Sequence, residues 1–186
     1  MVSAWNEIIA HLKHERLFES CELNAGATYS ELAQLEQHIG QSLPQELHDF
    51  LSEHNGQKVH AKLGIYVGSE LLSTESICQQ WDVWRSIDES TMNDDCADFM
   101  SSKPPGAVKP MYTNRCWIPM THDYGGNHVG LDFDPGPTGV VGQVIAYGRD
   151  EDEKRLLANS FKEFLPILVA TVRNEDWSFA DELRGQ

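Results

Sequence analysis

The chain has no two cysteines close enough to act together: Cys21, Cys78, Cys96 and Cys116 are at least 18 residues apart. That spacing excludes a CxxC zinc or thiol-redox motif. No apolar run approaches the roughly 20 residues a membrane span needs. The opening segment, MVSAWNEIIAHLKHE, lacks the basic start and unbroken apolar stretch of a signal peptide. Together these absences predict a reducing cytoplasm and four free thiols. Basic residues are scarce: 14 Lys and Arg stand against 29 Asp and Glu, a net charge of −15 with His neutral. A field of that sign repels phosphate backbones and anionic membranes, so neither nucleic acid nor membrane is the expected partner. It attracts a basic protein partner, chiefly by raising association rates.

No catalytic spacing stands out either. GxSxG, SxxK and HExxH are absent, and the Gly-rich pieces Gly125-Gly126 and Gly136 to Gly142 lack the Lys-Ser/Thr of a phosphate loop. His122, Asp123, His128, Asp132 and Asp134 fall within 13 residues, but surface and turn polarity explains them better than a metal site. Asp132 and Asp134 are expected on one face of a strand, where their charges would repel and raise one pKa. No catalytic residue, metal or cofactor is assigned.

What the chain has is an ordinary globular composition, 40% hydrophobic and 23% charged over 186 residues. A chain of that length buries roughly 70% of its unfolded surface, so one domain is expected. Helical periodicity runs from Ser3 to about Leu17 on Trp5, Ile8, Ile9 and Leu12. A second helix opens at Thr28 with Glu31 three residues on, a capping box, and ends at Gly40. Leu43-Pro44 starts a third, closed by Asn55-Gly56. Lys62 to Val67 is expected as a short strand, and Ser73 or Thr74 caps a helix through Ile77, Trp81 and Trp84. Residues 88–110 have little period and three prolines, and are expected as an exposed loop or insertion. Strands follow at Trp117–Met120, His128–Phe133 and Val140–Tyr147, with turns at Gly125-Gly126-Asn127 and at Asp134 to Gly139. A helix is expected from about Glu153 to Val172, with Pro166 kinking or breaking it. The order of elements predicts an α+β fold: a mostly antiparallel sheet flanked by helices, in one domain.

Three stretches in series carry a resemblance: LPQELHDFLSEHNG, GIYVGSELLSTESICQQWDVWR, and WIPMTHDYGGNHVGLDFDPGPTGVVGQVIAYGRDEDEKRLLANSFKEFL. Together they resemble the SUKH superfamily, and most closely its branch of yeast Smi/Knr cell-wall assembly regulators. On that resemblance residues 27–177 form the domain, with an amino-terminal helix in 1–26 and a tail in 178–186. It implies a non-enzymatic protein-binding module. Trp117, Asp123, Gly126, Asn127, Asp132, Pro135, Gly136, Pro137, Gly148, Arg149 and Asp150 stand at its motif positions. Without the long flanks of the yeast regulators, the chain leans towards a compact bacterial immunity-type protein that neutralises a toxin domain. The alternatives are a regulator of cell-wall assembly, a small-ligand sensor with an aromatic pocket near Trp117 and Trp84, and a metal-dependent enzyme using Asp123, His128, Asp132 and Asp134.

Acidic runs at Asp94, Asp95 and Asp98, at Asp150, Glu151, Asp152 and Glu153, at Glu175-Asp176 and at Asp181-Glu182 are candidates for a partner-binding surface. Asp123, Asn127, Asp132 and Asp134 join them, with Asp123 and Asp132 expected as the exposed functional pair. Arg149 is expected to pair with Asp150 or Asp132.

Overall fold

The computed structural model describes residues 3–87 and 89–184. The amino-terminal half is helical because its apolar residues recur at helical spacing behind good caps. Ser3 accepts the Asn6 N–H at the start of α1 (Ala4–His14), which buries Trp5, Ile8 and Leu12. Thr28 and Glu31 form a reciprocal capping box on α2 (Tyr29–Ile39), and Gly40 ends that helix in the left-handed conformation. Pro44 stands just ahead of α3 (Gln45–Glu53), and Ser73 caps α4 (Thr74–Arg85), which buries Trp81 and Trp84.

The carboxy-terminal half is built on a five-stranded sheet. Its members are β2 (Ser101–Lys103), β3 (Trp117–Pro119), β5 (Asn127–Asp132), β6 (Gln143–Gly148) and β7 (Glu153–Ala158), in the order β2-β7-β6-β5-β3. β2 runs parallel to β7, and the other neighbours are antiparallel. The fold is thus α+β with a mostly antiparallel sheet. A two-stranded ladder joins β1 (Glu70–Leu71) to β4 (Thr121–His122), in register Glu70↔His122. Both faces of the main sheet are covered. Val129, Leu131 and Val144 face a core shared with Phe161, Phe164 and Leu168 of α6 (Phe161–Asn174). Ile145, Tyr147 and Trp117 face a second core under Ala107 and Val108. This two-sided cover is why β6 is buried at every residue rather than at every other one.

Four expectations are corrected. Lys62 to Val67 is not a strand: a single bridge, Tyr66↔Ser69, closes a tight turn through Val67 and Gly68, both at positive φ, and the strand begins at Glu70. The expected loop at 88–110 contains α5 (Glu89–Cys96) and β2, while Asp88 lies outside the described residues. β2 has no apolar alternation because its pairing with β7, not a buried face, makes it a strand. The helix expected from Glu153 is a strand as far as Ala158, and α6 starts only where Ser160 accepts the Glu163 N–H. Pro166 does not divide α6. It lies on the exposed side, and the carbonyl it leaves without an N–H belongs to exposed Lys162, open to water. The tail forms a 3-10 helix, Trp177–Leu183, in which Trp177 is buried and Phe179 is exposed.

Candidate functional site

Two turns meet at one end of the sheet. In the first, Asp123 Oδ1 accepts the backbone N–H groups of Gly125 (2.7 Å) and Asn127 (2.9 Å), and Oδ2 accepts from Asn127 Nδ2 (2.8 Å). Burial pushes the Asp123 carboxyl up, but these hydrogen bonds outweigh it and hold the group below the usual carboxylate range. Asn127 then reaches the second turn. Its Nδ2 donates to Asp150 Oδ2 (3.2 Å), and its Oδ1 accepts the Asp150 N–H (2.9 Å). The Arg149 N–H donates to Gly126 O at 3.0 Å. Gly148 makes the approach possible, since a Cβ there would lie 2.5 Å from Asn127 Cα. The D-x-G-G-N and GRD motifs are therefore two halves of one interlocked feature.

A buried cation anchors that feature from behind. The Lys154 side chain is 0% exposed, and its ammonium donates to the carbonyls of Gly148 and Glu151. Burial lowers its pKa to about 8 against the opposing pull of Asp152 and Glu151. Arg149 and Asp150 stand exposed at the tips. The expected ion pair of Arg149 with Asp150 or Asp132 is absent among the described residues. Arg155 takes Glu151 instead, at 2.9 Å. Beside the turns an open groove of about 400 Å³ runs between Tyr66-Val67 and the sheet, with Asp123, Asn127, Glu151 and Arg155 along it.

The other end of β5 is built for burial. Asp132 is 0% exposed, which corrects its expected place in an exposed pair with Asp123. Its Oδ1 accepts from Trp117 Nε1 (3.1 Å) and the Asp134 N–H (2.9 Å), and its Oδ2 accepts from Gln143 Nε2 (2.8 Å). Burial raises its pKa, and the neighbouring Asp134 charge adds to the rise. Asp134 turns away to Lys109 and Asn114, which hold its own carboxyl below the usual range despite burial. Pro135, Gly136 and Pro137 follow it over the Ala107 strap, where Gly136 N–H donates to Ala107 O at 3.0 Å. The two ends of β5 are about 17 Å apart, at about 3.3 Å per residue.

The acidic runs meet in part. Asp123, Asn127 and Asp150 are in contact, and the Ser101 N–H donates to Asp152 O at 2.9 Å, bringing the chain that follows Asp94, Asp95 and Asp98 alongside Glu153. Asp134 stays at the far end. Among the described residues no group of three His, Cys, Asp or Glu is arranged to hold a metal ion. His128 has both nitrogens engaged, Nδ1 with Thr121 O (2.6 Å) and Nε2 with Trp84 Nε1 (2.8 Å), and burial lowers its pKa to about 4. Trp84, Trp117, Tyr147 and His128 pack ring on ring, with centroids 5.1–6.0 Å apart, at the place where the small-ligand alternative called for an aromatic pocket. Burial raises the pKa of the Cys21, Cys78 and Cys116 thiols, which disfavours their thiolate forms.

Sequence reasoning missed Lys154, whose strand position is masked by the surrounding charges, and a cluster of Glu70, His60, His122 and Tyr124. One signal for the cluster was available: Tyr124 is an aromatic at the tip of a turn, between Asp123 and Gly125-Gly126.

The domain is α+β, and its motif residues hold two turns together and present their tips at one end of the sheet. The chain belongs to the SMI1 / KNR4 family (SUKH-1), whose model matches residues 26–166. It is 35% identical over 84% of its length to a cell wall biosynthesis/cell cycle regulator, smi1, of Schizosaccharomyces pombe. It is 31% identical over 98% of its length to a glucan synthesis regulatory protein of Neurospora crassa. To the cell wall assembly regulator SMI1 of Saccharomyces cerevisiae it is 24% identical over 96% of its length. The matches cover 33%, 40% and 42% of those proteins, so the chain spans about a third to two-fifths of their length.

Proposed function

We propose that this chain is a non-catalytic protein-binding module that regulates cell-wall assembly, acting from the cytoplasm through the interlocked turns at the Asp123–Asp150 end of the sheet. The observation that carries it is the pairing of D-x-G-G-N with GRD. Asn127 and Gly148 lock the two turns, and the locked turns leave Tyr124 exposed on the first and Arg149 and Asp150 exposed on the second. Aromatic and Arg side chains on a rigid base are the composition of interface anchors. The names of the relatives support wall regulation over toxin neutralisation. The net charge of −15 supports a basic protein partner. No helix among the described residues is long and apolar enough to cross a membrane.

The test is a domain exchange. The matched third of the S. pombe regulator is replaced by this chain, and growth is measured under wall stress. Rescue is expected, with loss of rescue in a chain carrying Arg149→Glu and Asp150→Lys. That pair keeps the backbone bond from the Asp150 N–H to Asn127 Oδ1 and removes one exposed hydrogen bond, Asn127 Nδ2 to Asp150 Oδ2, so its unfolding free energy should stay within about 1 kcal/mol of the parent. A folded exchange that fails to rescue, or a reversal that rescues fully, would sink the proposal.

A further inference from the structure

Glu70 is 5% exposed, and only one of its oxygens is accounted for. Oε2 accepts from the Tyr124 hydroxyl at 2.6 Å, while Oε1 has no hydrogen-bond partner among the described residues. Directly across the ladder, in register with Glu70, stands His122, whose buried Nδ1 is also without a partner. A buried polar atom left unpaired costs about 1–3 kcal/mol, and more when charged. Two such atoms on facing residues of a two-residue ladder mark a place where a donor belongs.

The surroundings define the donor. Burial lowers the His122 pKa, which favours the neutral ring, and Nδ1 accepts when the proton sits on Nε2. His122 lies 4.6 Å from the Tyr124 ring, and His60 stacks on Tyr124 at 4.7 Å. Aromatic faces beside a carboxylate favour an organic cation over a neutral donor. The free acceptors are two single atoms rather than a pair of carboxylate oxygens, because Tyr124 occupies Oε2. That arrangement suits the point charge of an ammonium better than the planar fork of a guanidinium. A long, flexible lysine stem also fits a seat lying beneath the surface. Tyr124 is the cover: it is 49% exposed and holds φ +62°, a conformation uncommon for an aromatic residue and typical of strained functional positions.

We propose that Glu70 and His122 form a seat for the ammonium head group of a lysine on a protein partner, covered by Tyr124 until the partner docks. The proposal rests on the protein-binding role given above and names one contact of that same end of the molecule.

The experiment uses the whole chain and three small probes: the Nα-acetyl methylamides of lysine, ε-trimethyllysine and arginine. Binding is read from the imidazole nitrogens of His122 and the backbone amide of Tyr124 by NMR. The lysine probe is expected to give saturable shifts at both. Glu70→Gln should weaken it about tenfold, equivalent to about 1.4 kcal/mol. Tyr124→Phe should strengthen it severalfold by freeing Oε2. A merely structural Glu70–Tyr124 bond would not move the two variants in opposite directions, and Tyr124→Phe alone decides the matter if Glu70→Gln fails to fold. Trimethyllysine, which keeps the charge but loses its N–H donors, should bind more weakly, and arginine more weakly than lysine. Absence of saturable shifts, equal binding by the Gln variant, or tighter binding of either other probe would overturn the seat. So would an ordered water bridging Glu70 and His122 that the lysine probe does not displace. None of these outcomes touches the wall-regulation proposal, which the domain exchange tests separately.

Discussion

The two ends of β5 carry the same kind of residue and use it in opposite ways. At one end Asp132 is sealed in the second core and takes three donors, from Trp117, Asp134 and Gln143. At the other, Asp123 is exposed, and its hydrogen bonds shape a turn that Asn127 ties to Asp150. Both aspartates stand at motif positions, so the motif alone does not separate a residue that holds the core from one that builds a surface. Burial separates them.

That contrast can be broken in three places. The largest effect is expected at the buried end. Asp132→Ala leaves the Trp117 and Asp134 N–H donors without a partner and takes one of two acceptors from Gln143 Nε2, which keeps Ala107 O, at about 1–3 kcal/mol for each donor that stays dry, so a loss of about 4 kcal/mol is expected in urea unfolding. A loss below about 1 kcal/mol would mean that water enters and that the end is not sealed. Next comes the acid response of His128. Its folded pKa, about 4, lies below the ordinary 6.5, so the unfolded chain binds the proton more readily. The stability it contributes is complete above pH 6.5 and is lost as pH falls through about 4. Protonation would also set an Nε2–H against the Trp84 Nε1–H. Relative to His128→Gln, the parent chain should lose on the order of 3 kcal/mol across that window. Parallel pH profiles for the two proteins would refute the assignment. The smallest effect is expected at the exposed end. Asn127→Ala should cost about 1–2 kcal/mol, mostly as faster hydrogen exchange at Arg149 and Asp150. If exchange at those amides is unchanged, Asn127 does not tie the turns.

Much of the helical half was legible in the chain. Thr28 and Glu31 announce α2, and the spacing of Trp5, Ile8 and Leu12 announces α1, because caps and periodicity are local. The central strands were legible for the same reason, through turn residues at Gly125 to Asn127 and at Asp134 to Gly139. β2 and β7 were not. Ser101–Lys103 has no pattern of its own, and Leu156-Leu157 beside the apolar run of α6 mimics a continued helix. β2 becomes a strand by pairing with β7, and β7 by pairing with both β2 and β6. At the candidate site, the acidity and the motif positions were readable, while the partner of each side chain was not. Asp132 looks exposed in sequence because it borders a turn. Tertiary cover from Trp117 and the Ala107 strap buries it.

The sequence by itself determined the fold class, the family and the acidic character, since composition, capping and ordered motifs are properties of neighbouring residues. Only the tertiary structure decided that D-x-G-G-N and GRD form one feature, that Lys154 anchors it from inside, and that Glu70 faces His122 with an acceptor to spare. The first and last depend on contacts between residues 23 and 54 positions apart in the chain (Asn127 with Asp150, Glu70 with Tyr124), while Lys154 reaches carbonyls close in sequence and owes its burial to the packing around it. Asp123 and Asp132 show the same division: their presence is written in the chain, and their opposite roles come from which end of β5 is covered.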